Sequence, residues 1–332
     1  MATQPNNVPI KTKLFAHLET MRPYTVIWCG LVSFAGACLS WGQLPPIDVA
    51  VLSLIIPIMG WIAGLYLSDF LDRNLDKIEK PHRPIPSGRI KPYEAILVGS
   101  IYAIVGTLFS WYLGIRNFSL VFIVALLVLT YTSIAKSRGF LGHINRGIVT
   151  VAAYLYGVFT SPLPLETIPV YIWLLTPVFL FHDANSNLVG AIRDMEGDKK
   201  GGYQTIPVKY GIKKSITLSI LLTCIWFPIA LMIPLQYDFV SQYYYYLILI
   251  DVIILLSFYI FFFWSLKSYS RKKALKYHEF FVIERITLAS AFIIGSTTLI
   301  LGVGIYLTAL FLTSLFQISL RSRYEFKDGK LS

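Results

Sequence analysis

The chain has 332 residues, 55% hydrophobic and only 14% charged, with a mean hydropathy of +0.63 and a formal charge of +11. That balance excludes an ordinary soluble domain. No hydrophilic block is long enough to bury a core of its own, so residues 1–332 read as a single membrane domain.

Apolar stretches near the roughly 20 residues that cross a bilayer occur at 23–40, 47–68, 93–113, 118–135, 147–163, 168–190, 215–235, 242–266 and 287–319. Their continuous character predicts nine transmembrane helices rather than the alternating strands of a barrel. The opening "MATQPNNVPIKTKLFAHLET" lacks the pattern of a cleavable signal, and the first helix is expected to stay in the mature protein. Basic residues fall in alternate connections: Lys11 to Arg22, Arg73 to Lys91, Lys136 to Arg146, Arg193 to Lys214 and Lys267 to Arg285. The positive-inside tendency places these connections in the cytoplasm, which makes the charge a topology signal and argues against nucleic acid as a partner. Nine crossings would leave Arg321, Arg323, Lys327 and Lys330 on the opposite side. Cys29, Cys38 and Cys224 sit in apolar segments without paired spacing, and the histidines are dispersed, so no zinc or disulfide framework is expected.

Two acidic clusters stand at the ends of the second and sixth segments. In "SDFLDRNLD", Asp69, Asp72 and Asp76 follow at i, i+3 and i+7, on one face of a continuing helix. Alone, this reads most simply as a solvated helix end whose acids pair with Arg73 and Lys77. The second cluster, "NLVGAIRDMEGDKKGGYQTIPVKYG", repeats the pattern with Asp194 and Asp198, basic residues and a proline-containing turn. The spacing suggests a pseudo-repeat of four-helix units with both acidic ends on one side. Converging carboxylates suit Mg²⁺ bridged to a diphosphate, and Arg22, Arg83, Arg89 and Lys136 would neutralise the departing charge.

Residues 68–90 and 187–211 resemble the two signature regions of the intramembrane UbiA-type prenyltransferases. "SDFLDRNLD" is similar to that family's NDxxDxxxD, with Ser68 where Asn is usual, and Asp194 and Asp198 match its DxxxD. The following "KPHRPIPSGRI" and "GDKKGGYQTIPVKYG" resemble the chlorophyll-synthase and archaeal lipid branches, and "MRPYT" and "YTSIAKSRGFLG" also fit. Ala191 departs from relatives that carry a further Asp there.

The resemblance implies a nine-helix bundle around a central cavity, Mg²⁺ as cofactor and a prenyl diphosphate donor. The metal ligands are then Asp69, Asp72, Asp76, Asp194 and Asp198. Asp72, Asp194, Asp198, Tyr131 and Lys136 are the expected catalytic residues, and Arg22, Ser68, Arg83, Arg89, Asp183 and Asn187 the expected substrate contacts. Trp61, Tyr66 and Tyr131 lie where aromatic faces would shield an allylic cation, although helix packing or a place in an interfacial belt is the favoured account of any single one of them. Asp183 and Asn187 continue the helical stripe of Asp194 and Asp198 deeper into the membrane, with His182 one residue off it, and are expected to line the cavity and act on acceptor or cation. The function expected is transfer of a prenyl chain to a small or amphiphilic acceptor. A terpene cyclase and a non-catalytic lipid-binding or transport relative stay open as alternatives.

Overall fold

The computed structural model describes residues 8–135, 138–265 and 269–326. All the regular elements among them are helical: α1 (Ile10–Met21), α2 (Pro23–Trp41), α3 (Ile47–Leu71), α4 (Arg73–Glu79), α5 (Pro92–Leu113), α6 (Ile115–Thr130) and α7 (Phe140–Val158). After a short 3₁₀ turn follow α8 (Val170–Leu174), α9 (Thr176–Lys200), α10 (Ile206–Tyr237), α11 (Tyr243–Ser265), α12 (Arg271–Ser296), α13 (Leu299–Phe316) and α14 (Ser322–Glu325). Proline in the first turn starts α2, α5, α9 and α10, where a missing N–H breaks no intrahelical bond. Helix α2 stops at Gly42, whose φ of 65° turns the chain and returns its N–H to the Leu39 carbonyl.

The centre of the bundle is α2, packed against α3, α7 and α12, while α9 packs against α7, α10 and α12. Backbones there approach directly. A Cβ at Gly157 would fall 1.7 Å from the Ser33 carbonyl oxygen, and one at Gly147 would fall 2.2 Å from that of Leu180. Membrane helices gain little from hiding apolar surface against one another, so close approach through small residues supplies the packing. The outer helices invert the usual pattern. Leu97, Ile101, Ile104 and Leu108 on α5, and Leu249, Ile253, Leu256 and Ile260 on α11, form exposed apolar stripes suited to lipid.

Two expected segments are divided, 168–190 at Leu175 between α8 and α9, and the last one. The segment 287–319 is broken at Thr297 and Thr298 into the second half of α12 and all of α13. The first half of α12, expected as a loop because of its charges, is helix; it buries Glu284 against His182 and Arg285 against Asp183. Pairing across helices makes those charges tolerable, and single-sequence hydropathy cannot register it. The described residues therefore contain ten helices of 16 residues or more in place of nine. The extra one brings the chain's end back to the acidic motifs, where Tyr324 meets Asp69, overturning the expectation of a tail on the opposite side.

Candidate active site

The two acidic clusters open on one cavity of about 950 Å³. Helix α3 carries Ser68 and Asp69 on its last turn, Asp72 marks its break with α4, and Asp76 lies on α4; the backbone N–H of Asp76 still reaches the Asp72 carbonyl at 2.9 Å. The near-continuous helix keeps all three acids on one side. Across the opening, α9 continues past its apolar part to Lys200 and presents Asp194 and Asp198.

Each cluster is interleaved with cations. Asp69 is bound by Arg22 and accepts the Tyr324 hydroxyl. Asp76 accepts from Arg83 Nη1 at 2.9 and 3.1 Å. Asp194 accepts from Arg193 Nε at 3.1 Å, with Lys80 at 3.9 Å and Arg271 at 4.0 Å. Asp198 accepts from the Thr205 hydroxyl at 3.2 Å. Burial pushes the Asp194 carboxyl up, but Arg193 and Lys80 outweigh it and hold the group well below the usual carboxylate range. Burial has the opposite result for Lys80, whose ammonium is easier to deprotonate than an ordinary lysine.

The tail completes this mouth. The Tyr324 ring lies under the guanidiniums of both Arg22 and Arg83, each 4.3 Å from its centroid, and its carbonyl accepts from His82 Nε2 at 3.1 Å. Glu325 binds Arg271 at 3.1 Å and Arg193 at 3.5 Å. These contacts join residues from 54 to 302 positions apart, and no local sequence signal could have found them.

Below the mouth the cavity is lined by Trp61, Tyr131, His143, Arg146, Asn187 and Arg285, with an apolar flank from α3, α5 and α6. Tyr131 begins a π-type turn at the end of α6, a distortion frequent at functional sites. Its hydroxyl accepts from Asn187 Nδ2 at 3.4 Å, and Asn187 Oδ1 is 2.7 Å from His143 Nδ1.

Of the residues expected from sequence, Arg22, Ser68, Asp69, Asp72, Asp76, Arg83, Tyr131, Asn187, Asp194 and Asp198 line this cavity, as does Ala191. Two expected contacts do not. Arg89 turns away to Glu19 at 2.7 Å and the His82 carbonyl at 2.7 Å, tying the loop after α4 to α1. Asp183 is fully buried behind the wall, between Arg285 at 2.5 Å and Arg146 at 3.7 Å. Tyr66 is likewise buried, 2.8 Å from His17, and Lys136 lies outside the described residues. The sequence reading missed Lys80, Arg193, Arg271, Tyr324 and Glu325, and it placed Arg285 in a loop.

Among the described residues no three His, Cys, Asp or Glu side chains are gathered tightly enough to hold an ion. The carboxylate oxygens at the mouth nonetheless match Mg²⁺ in kind, since that ion takes hard oxygen ligands and shares its sphere with phosphate and water. Binding would exchange the present arginine and tyrosine partners for the ion.

Comparison with known proteins bears on this geometry. The description "UbiA prenyltransferase family" fits residues 27–283. A digeranylgeranylglyceryl phosphate synthase of Pyrococcus horikoshii is 30% identical over 200 residues, 60% of this chain and 70% of that protein. A solved structure of digeranylgeranylglyceryl phosphate synthase is 27% identical, with a TM-score of 0.64 over 86% of this chain and 98% of its own. A UbiA homolog from Archaeoglobus fulgidus bound to DMAPP and Mg²⁺ shares the fold at 18% identity, with a TM-score of 0.58 over 82% of this chain and 99% of its own. An integral, multi-pass helical bundle with paired acidic motifs at the mouth of one cavity, matched over most of its length, belongs to the UbiA prenyltransferase family and is a prenyltransferase.

Proposed function

We propose that the protein transfers a prenyl chain from a prenyl diphosphate to a small or amphiphilic acceptor within the membrane, in a Mg²⁺-dependent reaction. The observation that carries this reading is the polarity of the cavity: the five motif carboxylates with Arg22 and Arg83 at one end, an apolar and aromatic wall below. A donor with a charged head and a long hydrocarbon tail needs both. The positive-inside tendency of the basic loops supports a cytoplasmic mouth. The arrangement of α3 and α9, each ending in an acidic motif, supports descent from a repeated four-helix unit.

Mg²⁺, when bound by Asp69, Asp72, Asp76, Asp194 and Asp198, supplies Lewis-acid stabilisation of the leaving diphosphate. Arg22 and Arg83 bind the diphosphate oxygens from the side the Tyr324 ring now covers. Lys80 and Arg193 neutralise charge gathering there as the allylic C–O bond breaks and its electron pair departs with the diphosphate. Trp61 and Tyr131 line the cavity, and their rings shield the electron-poor carbon from water until the acceptor's nucleophile bonds to it and its proton is released. Asp183 is tied to two arginines behind the wall and does not take that proton.

Purified protein offered a panel of prenyl diphosphates, with and without a cell-lipid extract, tests the reading. Diphosphate release with a prenylated lipid as product supports it. Release of a free cyclic hydrocarbon without acceptor would assign the scaffold to cyclisation instead.

A further inference from the structure

Far from the mouth, the apolar arm of the cavity ends at one level on four helices. Among the described residues its lining stops at Ile56 on α3, Thr107 on α5, Val121 on α6 and Tyr156 on α7. Ile56 and Tyr156, each 4% exposed, belong to one packed cluster with Leu120 and Ala152. Behind that layer stand Leu52 and Leu113, a turn or more farther from the mouth along α3 and α5.

Tyr156 is held at both ends. The Ser110 hydroxyl donates to the Gly106 carbonyl at 2.7 Å, which leaves the Tyr156 hydroxyl to donate to Ser110 Oγ, also at 2.7 Å. At the last turn of α7 the Thr160 N–H goes to the Gly157 carbonyl, and the Tyr156 carbonyl accepts from Asn117 Nδ2 at 2.7 Å instead. Ser110 and Asn117 are themselves fully buried. An apolar side chain would fill this layer equally well. The hydrogen bonds add fixity, because at this depth no water replaces a partner lost when the ring swings aside.

Attraction alone selects a chain length poorly in such a cavity. Lipid is as apolar as the cavity wall, so each added isoprene unit gains little by leaving one for the other. Discrimination then has to come from a surface that the longer chain collides with. We infer that Tyr156, fixed by Ser110 and Asn117, is that surface: the floor that sets the upper length of the donor's prenyl tail. The inference rests on the prenyl-transfer reading and names a specificity-determining residue for it. The way down to the floor is open, since at Gly60, a turn nearer the mouth than Ile56 and in the lining, an added Cβ would meet nothing within 4 Å. The rival route is sideways, past Phe122, which lines the cavity and is 57% exposed. A tail leaving there would meet no floor.

The test is equilibrium binding of unreactive prenyl thiolodiphosphates, two to eight isoprene units long, to the purified full-length protein with Mg²⁺. Wild-type affinity is expected to fall by about tenfold or more between two adjacent lengths. Tyr156→Ala should move that drop to a longer chain by at least one unit and leave shorter members bound as before. Gly60→Phe, which fills the arm above the floor, should move it to a shorter chain. Tyr156→Phe keeps the ring and loses the bond to Ser110, so the drop should stay in place and become shallower.

Affinity without a drop in the wild type overturns the inference and favours the sideways route. A drop that does not move in folded Tyr156→Ala overturns it too. Where Tyr156→Ala fails to fold, an unmoved drop in Gly60→Phe has the same force. A drop of full depth in Tyr156→Phe would remove Ser110 from the account. If no member binds with Mg²⁺, the prenyl-transfer reading fails by itself. The same lengths as prenyl alcohols with a terminal diazirine then still locate the floor: cross-links at Ile56 or Tyr156 support it, and none at either overturns it.

Discussion

Tyr324 donates its phenol proton to Asp69, with the two carboxylate oxygens at 2.9 and 3.0 Å, so the end of the chain closes on the first acidic motif. Any ion bound by Asp69 competes with that hydroxyl. Tyr324→Phe keeps the ring between Arg22 and Arg83 and removes only the hydroxyl, which donates to Asp69 and accepts from Arg22. A hydrogen bond to a charged group contributes about 1.5–3 kcal/mol, so the Mg²⁺ concentration for half-maximal diphosphate release should fall by about tenfold. An unchanged or raised requirement would mean that the hydroxyl does not compete with the ion.

Asp72→Ala and Asp194→Ala each remove a carboxylate from a different acidic cluster. Diphosphate release should fall by about a hundredfold or more in either variant, with the elution profile in detergent unchanged. EDTA should stop the wild-type reaction and added Mg²⁺ restore it. Near-normal turnover in either variant would defeat the two-cluster site.

The contact between α2 and α7 leaves no room for a side chain at Gly157, where a Cβ would lie 1.7 Å from the Ser33 carbonyl oxygen. Gly157→Ala should destabilise the protein by about 1–3 kcal/mol, the usual cost of overpacking. Gly60→Ala, with nothing within 4 Å of the added carbon, is the comparison. Thermal unfolding in detergent reads both, and equal melting temperatures would contradict the close approach.

His82 makes docking of the tail depend on pH. Its Nε2 faces the Tyr324 carbonyl, so that nitrogen carries the proton, while the buried Nδ1 has no hydrogen-bond partner. Burial, aided by Arg83, depresses the ring below its ordinary 6.5 against the opposing effect of the carbonyl. The released ring binds protons more readily than the docked one. Docking is therefore fully favoured above the ordinary value and weakens as pH falls through it toward the lower, docked value. A spin label on Phe326→Cys, in a Cys224→Ser background, should gain mobility between about pH 7.5 and about pH 5.5. His82→Gln should remove most of that dependence; an unaltered pH response in His82→Gln would exclude the histidine as its cause.

Most of the apolar segments were legible because each is a long apolar run, and hydropathy measures that directly; the segment 168–190 is instead divided at Leu175 into α8 and the start of α9. Asp69, Asp72, Asp76, Asp194 and Asp198 were legible for a related reason: helical spacing puts them on a face, and their place at segment ends puts them at a mouth. Asn187 followed from the same periodicity. Asp183 lies on the same stripe and was still misjudged, because rotation about α9 and the position of α12 decide whether a side chain meets the cavity or an arginine behind it.

Sequence alone thus determined the membrane class, the helical architecture and the acidic mouth, since those depend on composition and on spacings of a few residues. Tertiary structure decided which cation serves which acid. Glu284 and Arg285 made the start of α12 read as a loop until His182 and Asp183 were found opposite them. Tyr324 and Glu325 belonged to a tail assigned to the far side until a tenth long helix returned it to Arg22 and Arg193. The physical reason is common to both. A charge in a membrane protein is tolerated or not according to its partner, and the partners here are brought together only by folding.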